Sequence, residues 1–293
     1  VFLVLAVLPG KPAQVILGTQ ATPASVRALT RKLGLDKPLW RQYADWIGGL
    51  LSGHLGNSYI SGLPIRSEMG NALEVTLPLI GLGLLVGIII AVPLGVIAAV
   101  RDRHASGMVA SVANQIGIAI PNFVLGILLI IVIGVKLHLL PTGGFAGWST
   151  SPLGAIKALI LPGISLGIVE GAIVGRYIRT SVREVLSSDY LRTARAKGLT
   201  RWQALVRHGF RNAAVPVLTV LGLELAGLIV GAVVIENVFT LPGMGTLLLQ
   251  AVNNRDLIMV EDIVVMIAAV VLVVNFLVDI AYHVLDPRIG LES

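Results

Sequence analysis

Long apolar runs separated by charged loops set the pattern of this chain. Residues 75–100 carry no charge, and neither do 105–135, whose polar positions are Ser106, Ser111, Asn114, Gln115 and Asn122. The runs 158–175, 212–235 and 263–285 follow, each interrupted by one acid, Glu170, Glu224 and Asp279 respectively. A helix needs about 20 mostly apolar residues to cross a hydrocarbon layer about 30 Å thick. The pattern therefore predicts spans over about 75–100, 109–135, 158–175, 212–235 and 263–285. The apolar opening, 1–8, reaches only about 12 Å at helical rise, too short to cross alone. It is expected to be the end of a first helix that starts upstream; a signal peptide is the alternative, weakened by the lack of a charged leader and a cleavage site.

The connections alternate in charge. Residues 176–211 hold nine Lys or Arg against Glu184 and Asp189, and Arg101 and Arg103 mark a second basic loop. Residues 236–262 are acidic, with Glu236, Asp256, Glu261 and Asp262 against Arg255. Basic loops stay on the cytoplasmic side. Six spans with both termini cytoplasmic satisfy that rule, with 9–74, 136–157 and 236–262 outside. Composition agrees: 55% hydrophobic and 13% charged residues, with 33 glycines, suit closely packed membrane helices rather than a soluble core. The net charge of +6 is then a topology signal, and no nucleic-acid partner is expected. There is no cysteine, so neither a disulfide framework nor a thiolate metal site is open to the chain. His54, His104, His138, His208 and His283 share no metal-ligand spacing.

Two connections look folded. In 9–74, the spacing of Leu39, Tyr43, Trp46, Ile47 and Leu50 marks an amphipathic helix within a small external subdomain. In 176–211, Arg176, Arg179 and Arg183 form a basic stripe where the fourth span leaves the membrane. Ser188 or Asp189 then offers a cap for a short helix that Gly198 ends, and Thr200 with Gln203 has the form of a capping box opening another. The prediction is a stiff cytoplasmic protrusion of helix, glycine corner and helix. The alternative, a basic helix lying on anionic lipid, explains the charges but neither the corner nor the cap.

The run Asp189-Tyr190-Leu191-Arg192-Thr193-Ala194-Arg195-Ala196-Lys197-Gly198-Leu199, followed by Arg207-His208, Arg211-Asn212-Ala213 and Pro216, resembles the coupling loop of membrane subunits of bacterial ATP-binding-cassette (ABC) importers, in the dipeptide and oligopeptide permease branch, which is also associated with nickel. Pro121-Asn122-Phe123, Glu236-Asn237-Val238-Phe239 with Pro242-Gly243-Met244-Gly245 and Arg255-Asp256, and Asp279-Ile280-Ala281-Tyr282 with Asp286-Pro287-Arg288 are similar to further blocks of that family. The general importer loop has Glu-Ala-Ala, three residues, then Gly. Here Arg192, Thr193 and Ala194 precede Gly198, so only the second Ala and the Gly match, a departure that fits the peptide branch.

The resemblance implies an all-α integral membrane permease of six spans in the bacterial cytoplasmic membrane, with 75–293 as the importer domain. It implies a second, homologous permease, two ATP-binding subunits holding ATP and Mg, an external substrate-binding lipoprotein and a peptide substrate, with lipid around the spans. No phosphate-cradling G-x-x-x-x-G-K-[ST] run occurs, so no cofactor and no catalytic residue are expected in this chain. The resemblance places ATPase coupling on Asp189, Tyr190, Arg192, Thr193, Ala194, Arg195, Lys197 and Gly198, with Ala194 and Gly198 allowing close approach to a partner's groove. Charges inside spans are costly and default to paired or functional roles. Glu170, Glu224, Glu236 and Asn122 are therefore candidates for the pathway, with pairing between helices as the alternative for the acids and a simple kink at Pro121 for Asn122. Residues 9–74 either touch the binding protein or cover the pore mouth, and 237–262 is expected to line the outer gate. A proton-coupled transporter relaying through Glu170, Glu224 and Asp279 is the competing reading; it would favour matching halves, and none is evident.

Overall fold

The computed structural model describes residues 2–3 and 12–285, with Gln20, Asp279 and 281–285 described by backbone alone. The expected end of a first helix over 1–8 and the block Asp286-Pro287-Arg288 lie outside the described residues, as does the side chain of Asp279. The helices in chain order are α1 (Pro12–Leu17), α2 (Pro23–Lys32), α3 (Leu39–Leu51), α4 (Ile65–Val100), α5 (Ala105–Ala119), α6 (Asn122–Leu129), α7 (Pro152–Ser187), α8 (Asp189–Ala196), α9 (Arg201–Ala204), α10 (Phe210–Val238), α11 (Met244–Asn253) and α12 (Leu257–Leu285). Short π-helical turns extend α6 over Ile130–Lys136 and join α9 to α10 over Leu205–Gly209. The chain divides into two compact units, one of residues up to 76 with 242–270, the other of 77–241 with the remainder of α12.

The first unit contains the amphipathic helix predicted over 39–50, now α3. Its core joins Ile65, Met69 and Ala72 of α4 to Met244 and Ala251 of α11 and to Met259, Val260 and Ile263 of α12. Burying apolar surface from water stabilises by about 25 cal/mol per Å². Two polar ties reach across the sequence. Ser58 Oγ donates to Asp256 Oδ2 at 2.5 Å while Tyr59 N–H donates to Asp256 Oδ1 at 3.3 Å, and Trp46 Nε1–H donates to Asp262 Oδ1 at 2.9 Å. The Ser58 hydroxyl also accepts from the amides of Ile60 and Ser61, which closes the turn ahead of α4. Asp256 is 3% exposed, so its carboxylate depends on those donors. Asp256→Ala would leave both donors without their acceptor, and a loss of about 1–3 kcal/mol from this unit is expected. Limited proteolysis should then cut faster within 52–63; an unchanged rate would count against the tie.

In the second unit α7 is central: 72% of its most apolar stretch is buried, and it packs on α5, α6 and α10. Its contact with α4 is built on glycine. A Cβ on Gly167 would lie 2.5 Å from Val86 Cβ, and one on Gly95 would lie 2.6 Å from the Gly175 carbonyl oxygen. Helices in lipid gain little from hiding apolar area from one another, so close backbone approach through small residues carries the association.

Among the described residues four helices are long and apolar enough to cross a membrane, or five if α5 with α6 and its π extension counts as one span. That pair is bent by 97°. The predicted third span over 109–135 is thus not one straight helix. Pro121 has no N–H to continue α5 and drives Ile120 to an extended conformation (φ −92°, ψ 120°), which a count of apolar residues does not register. Helix α4 begins at Ile65, earlier than the charge-free run, because its first turns pack on the core of the first unit instead of meeting lipid.

Candidate functional site

The predicted protrusion has the expected backbone. Helix α7 runs on past its apolar stretch to Ser187, Ser188 turns the chain (φ −67°, ψ 150°), and α8 ends at Ala196 with Lys197 as its cap. Gly198 follows with φ +96°, a left-handed corner that only glycine adopts without strain. Thr200 and Gln203 form a reciprocal capping box, the Gln203 amide donating to Thr200 Oγ1 at 3.2 Å and the Thr200 amide donating to Gln203 Oε1 at 3.0 Å. From there helix is continuous over Arg201–Val238.

Apolar packing fixes the corner. Leu191, 0% exposed, meets Ala194 and Ala204, with Val185, Leu186 and Leu199 around them. Gly209 lets α8 lie close, since a Cβ there would come within 2.9 Å of Val185 and 3.1 Å of Leu191. Asn212 Nδ2 donates to the Tyr190 hydroxyl at 2.8 Å. Arg201 Nη1 donates to Asp102 Oδ1 at 3.0 Å and to the Val100 carbonyl at 3.3 Å, tying the protrusion to the turn between α4 and α5. Of these inner partners, Ala194 and Tyr190 were expected at the coupling contact, and Leu191, Leu199 and Asn212 stood only within the quoted motif. Ala194 is repositioned: it was expected to face a partner's groove, yet it packs against Leu191 and Ala204, so its small size serves the interior of the protrusion. Asp189, Tyr190, Arg192, Thr193, Arg195, Lys197 and Gly198 remain exposed. The Asp189–Arg192 contact at 3.6 Å joins two solvated side chains and adds little stability.

The bond from Arg201 holds the Asp102 carboxyl below its ordinary range, with Arg201's charge adding to it. A carboxylate depressed by folding stabilises above its unfolded pKa, about 4, and that contribution disappears as pH falls through the lower folded value. Proteolysis of 188–200 should therefore be insensitive to Asp102 protonation from pH 5 to pH 8 and rise in acid. Asp102→Asn should remove that acid response; an acid response that persists would exclude Asp102 as its source.

The intramembrane candidates lie along the seam of α6, α7 and α10. A Cβ on Gly231 would meet Asn122 Nδ2 at 2.9 Å and Leu166 at 3.2 Å, which sets Asn122 beside α10 and one helical turn of α7 from Glu170. Glu224 stands two turns before Gly231 on the same face of α10 and within electrostatic reach of Glu170 and Arg176. Glu170 is 6% exposed with Oε1 lacking a partner, and Glu236 is fully buried. Glu224 and Asn122 keep part of their surface open. A fifth polar group belongs here: Asn114 on α5 is buried against Gly175, and neither of its amide atoms has a partner. Its only sequence signal was being one of five polar residues in an apolar run.

The family model for the inner membrane component of binding-protein-dependent transport systems matches residues 91–291, and the model for the N-terminal part of such membrane components matches 1–63. The chain is 37% identical over 289 residues to the probable peptide ABC transporter permease protein y4tP of Sinorhizobium fredii, covering 99% of this chain and 92% of that one. It is 36% identical over 290 residues to the glutathione transport system permease protein GsiC of Escherichia coli, again covering 99% and 92%. Among solved structures, a chain of the MetNI methionine ABC transporter in inward-facing conformations superposes with a TM-score of 0.61 at 17% identity, covering 76% of this chain and 98% of that chain, a likeness of fold. With its apolar helices, its helix–glycine–helix protrusion and a family match over more than half its length, this chain belongs to the inner membrane components of binding-protein-dependent transport systems, a membrane permease subunit and not an enzyme.

Proposed function

We propose that the chain forms half of the translocation pathway of an ATP-driven importer of di- or oligopeptides, with a second related permease supplying the other half. The peptide and glutathione permeases to which it is similar support that substrate class. Six spans with both termini cytoplasmic carry it across the bacterial cytoplasmic membrane. Two separate ATP-binding subunits grip the protrusions, and a substrate-binding lipoprotein docks on the external region formed by 9–74. Residues 237–262 line the outer gate.

The observation that carries this reading is the protrusion itself: Leu191 packed rigidly beneath a helix whose outer face presents Arg192, Arg195 and Lys197. Packed helices move as rigid bodies between discrete arrangements, so a short stiff lever transmits a nucleotide-driven displacement to the spans attached at both its ends. Asp189, Tyr190, Arg192, Thr193, Arg195 and Lys197 make the outer contact, while Ala194 and Gly198 keep the lever's shape. Closure of the ATPases draws the levers together and opens the pathway outward; hydrolysis returns it. Glu224 and Asn122 line the pathway, and Glu170 and Glu236 support it from behind.

The test is purification followed by reconstitution. Two ATPase subunits and a second permease should accompany the chain, and labelled tripeptide should enter liposomes only with ATP and the external binding protein. Uptake by the isolated chain under a proton gradient would overturn the proposal. Glu224→Gln should alter the peptide concentration for half-maximal uptake by about threefold or more, as removing one charge contact does; unaltered uptake kinetics would remove Glu224 from the pathway.

A further inference from the structure

The first unit contains a half-open cavity of about 280 Å³, apart from the coupling and pathway residues. Two adjacent acids of α12, Glu261 and Asp262, line it, 7% and 2% exposed respectively. Asp262 Oδ1 accepts the Trp46 indole N–H at 2.9 Å, but its Oδ2 is buried without a partner. A carboxylate oxygen withdrawn from water and given no donor is expensive, and such a group calls for a ligand that donates. Among the described residues Lys37 lies on the cavity wall, but it is engaged with Asp45 at 2.7 Å.

The walls narrow the ligand's chemistry. Trp46, with Phe2 stacked on it at 6.0 Å, and Tyr59 give the site aromatic faces, which attract cations through the ring quadrupole. Burial together with Glu261, Asp256 and Asp262 pushes the Tyr59 hydroxyl up to about 12, so it stays a neutral donor and adds no negative charge. An anion is excluded by the two carboxyl groups. A chelated metal is disfavoured, because neighbouring residues on a helix point about 100° apart and no three His, Asp or Glu side chains converge among the described residues. The volume is at the small end for ligand sites, about 300 Å³ and upward, so it suits the end of a molecule rather than a whole peptide.

We propose that this cavity binds a primary ammonium group, the free amino terminus of a short peptide, between Asp262, Glu261 and the face of Trp46. An ammonium has three donors and one charge, which matches the partnerless Oδ2, the adjacent Glu261 and an aromatic wall. The assignment of a peptide as its bearer rests on the proposed function. The site then acts outside the membrane as a filter for unblocked amino termini.

The experiment uses the full-length permease with its copurified subunits in nanodiscs, titrated calorimetrically with trialanine, N-acetyl-trialanine and n-propylamine. Trialanine and n-propylamine should bind, and acetylation should weaken binding about tenfold or more by removing the charge. Asp262→Asn and Glu261→Gln should each cost trialanine affinity without changing the melting temperature, since an Asn carbonyl still accepts from Trp46. Equal binding of the acetylated and free peptides to the unmutated protein overturns the inference, and that comparison needs no variant to fold. Trialanine binding without n-propylamine binding also overturns it, as does a trialanine affinity unchanged in both variants. Uptake measured in parallel keeps the two readings apart. Peptide uptake indifferent to acetylation sinks the site and leaves the importer. Ammonium binding that depends on Asp262 in a chain that imports no peptide sinks the importer and hands the site to another amine.

Discussion

Leu191→Asp is expected to abolish coupled transport. Leu191 has no exposed surface, and its contacts with Ala194 and Ala204 are what make the corner at Gly198 a single body. Truncating a buried leucine costs about 2–5 kcal/mol in packing alone, and a carboxylate in its place adds the penalty of an unpaired buried charge, again several kcal/mol. Arg201 is committed to Asp102, and Arg192, Arg195 and Lys197 are exposed. The short helix should detach from the end of α7. Peptide uptake into proteoliposomes should fall by an order of magnitude or more, while the partner ATPases either separate on size-exclusion chromatography or hydrolyse ATP without transport. Arg192→Gln, on the exposed face, should leave the fold of the corner intact, since its ion pair with Asp189 is solvated. Normal coupled uptake by the Leu191→Asp protein would show that the protrusion is not the lever.

The second large effect is expected in the membrane. Gly167→Leu should prevent α4 and α7 from packing, because even the first carbon of a side chain would stand 2.5 Å from Val86 Cβ and 2.7 Å from the Gly83 carbonyl oxygen. That oxygen belongs to the backbone and cannot swing aside. Overpacking a core costs about 1–3 kcal/mol when side chains can adjust, and here a helix must move, so most of the protein should be lost to aggregation on extraction. Gly81→Ala, on the facing helix α4, is the control. A Cβ there meets nothing within 4 Å, and alanine should raise stability slightly by restricting the unfolded chain. Fluorescence-detected size exclusion after a heat step separates the two. Equal melting of both variants would mean that glycine in this seam answers to something other than close approach.

These contrasts show how far the residues spoke for themselves. Apolar runs longer than about 20 residues announced the spans, since lipid demands internally bonded backbone whatever surrounds it. The protrusion was equally local: Gly198 and the Thr200–Gln203 box act on residues three or fewer positions away. By contrast, Pro121 announced a break but not a bend of 97°, because the angle depends on what α5 and α6 pack against. Nor did sequence reveal that Ala194 turns inward: α8 is amphipathic, with Leu191 and Ala194 on one face, but nothing local decides whether that face meets the chain's own neighbouring helices or a partner's groove.

The chain's own order of residues determined its helical character, its basic and acidic loops, and the place of the short helix α8 and its glycine corner, because each depends on short-range backbone chemistry or on simple transfer into lipid. Tertiary structure alone decided which distant side chains meet: Ser58 with Asp256, Trp46 with Asp262, and Asp102 with Arg201, separated by 198, 216 and 99 positions. It also decided that Asp262 keeps one oxygen without a donor inside a cavity. The physical reason is that a polar group's worth depends on its burial and its partners. Both are properties of the packed chain, to which a residue's neighbours in sequence contribute only a part.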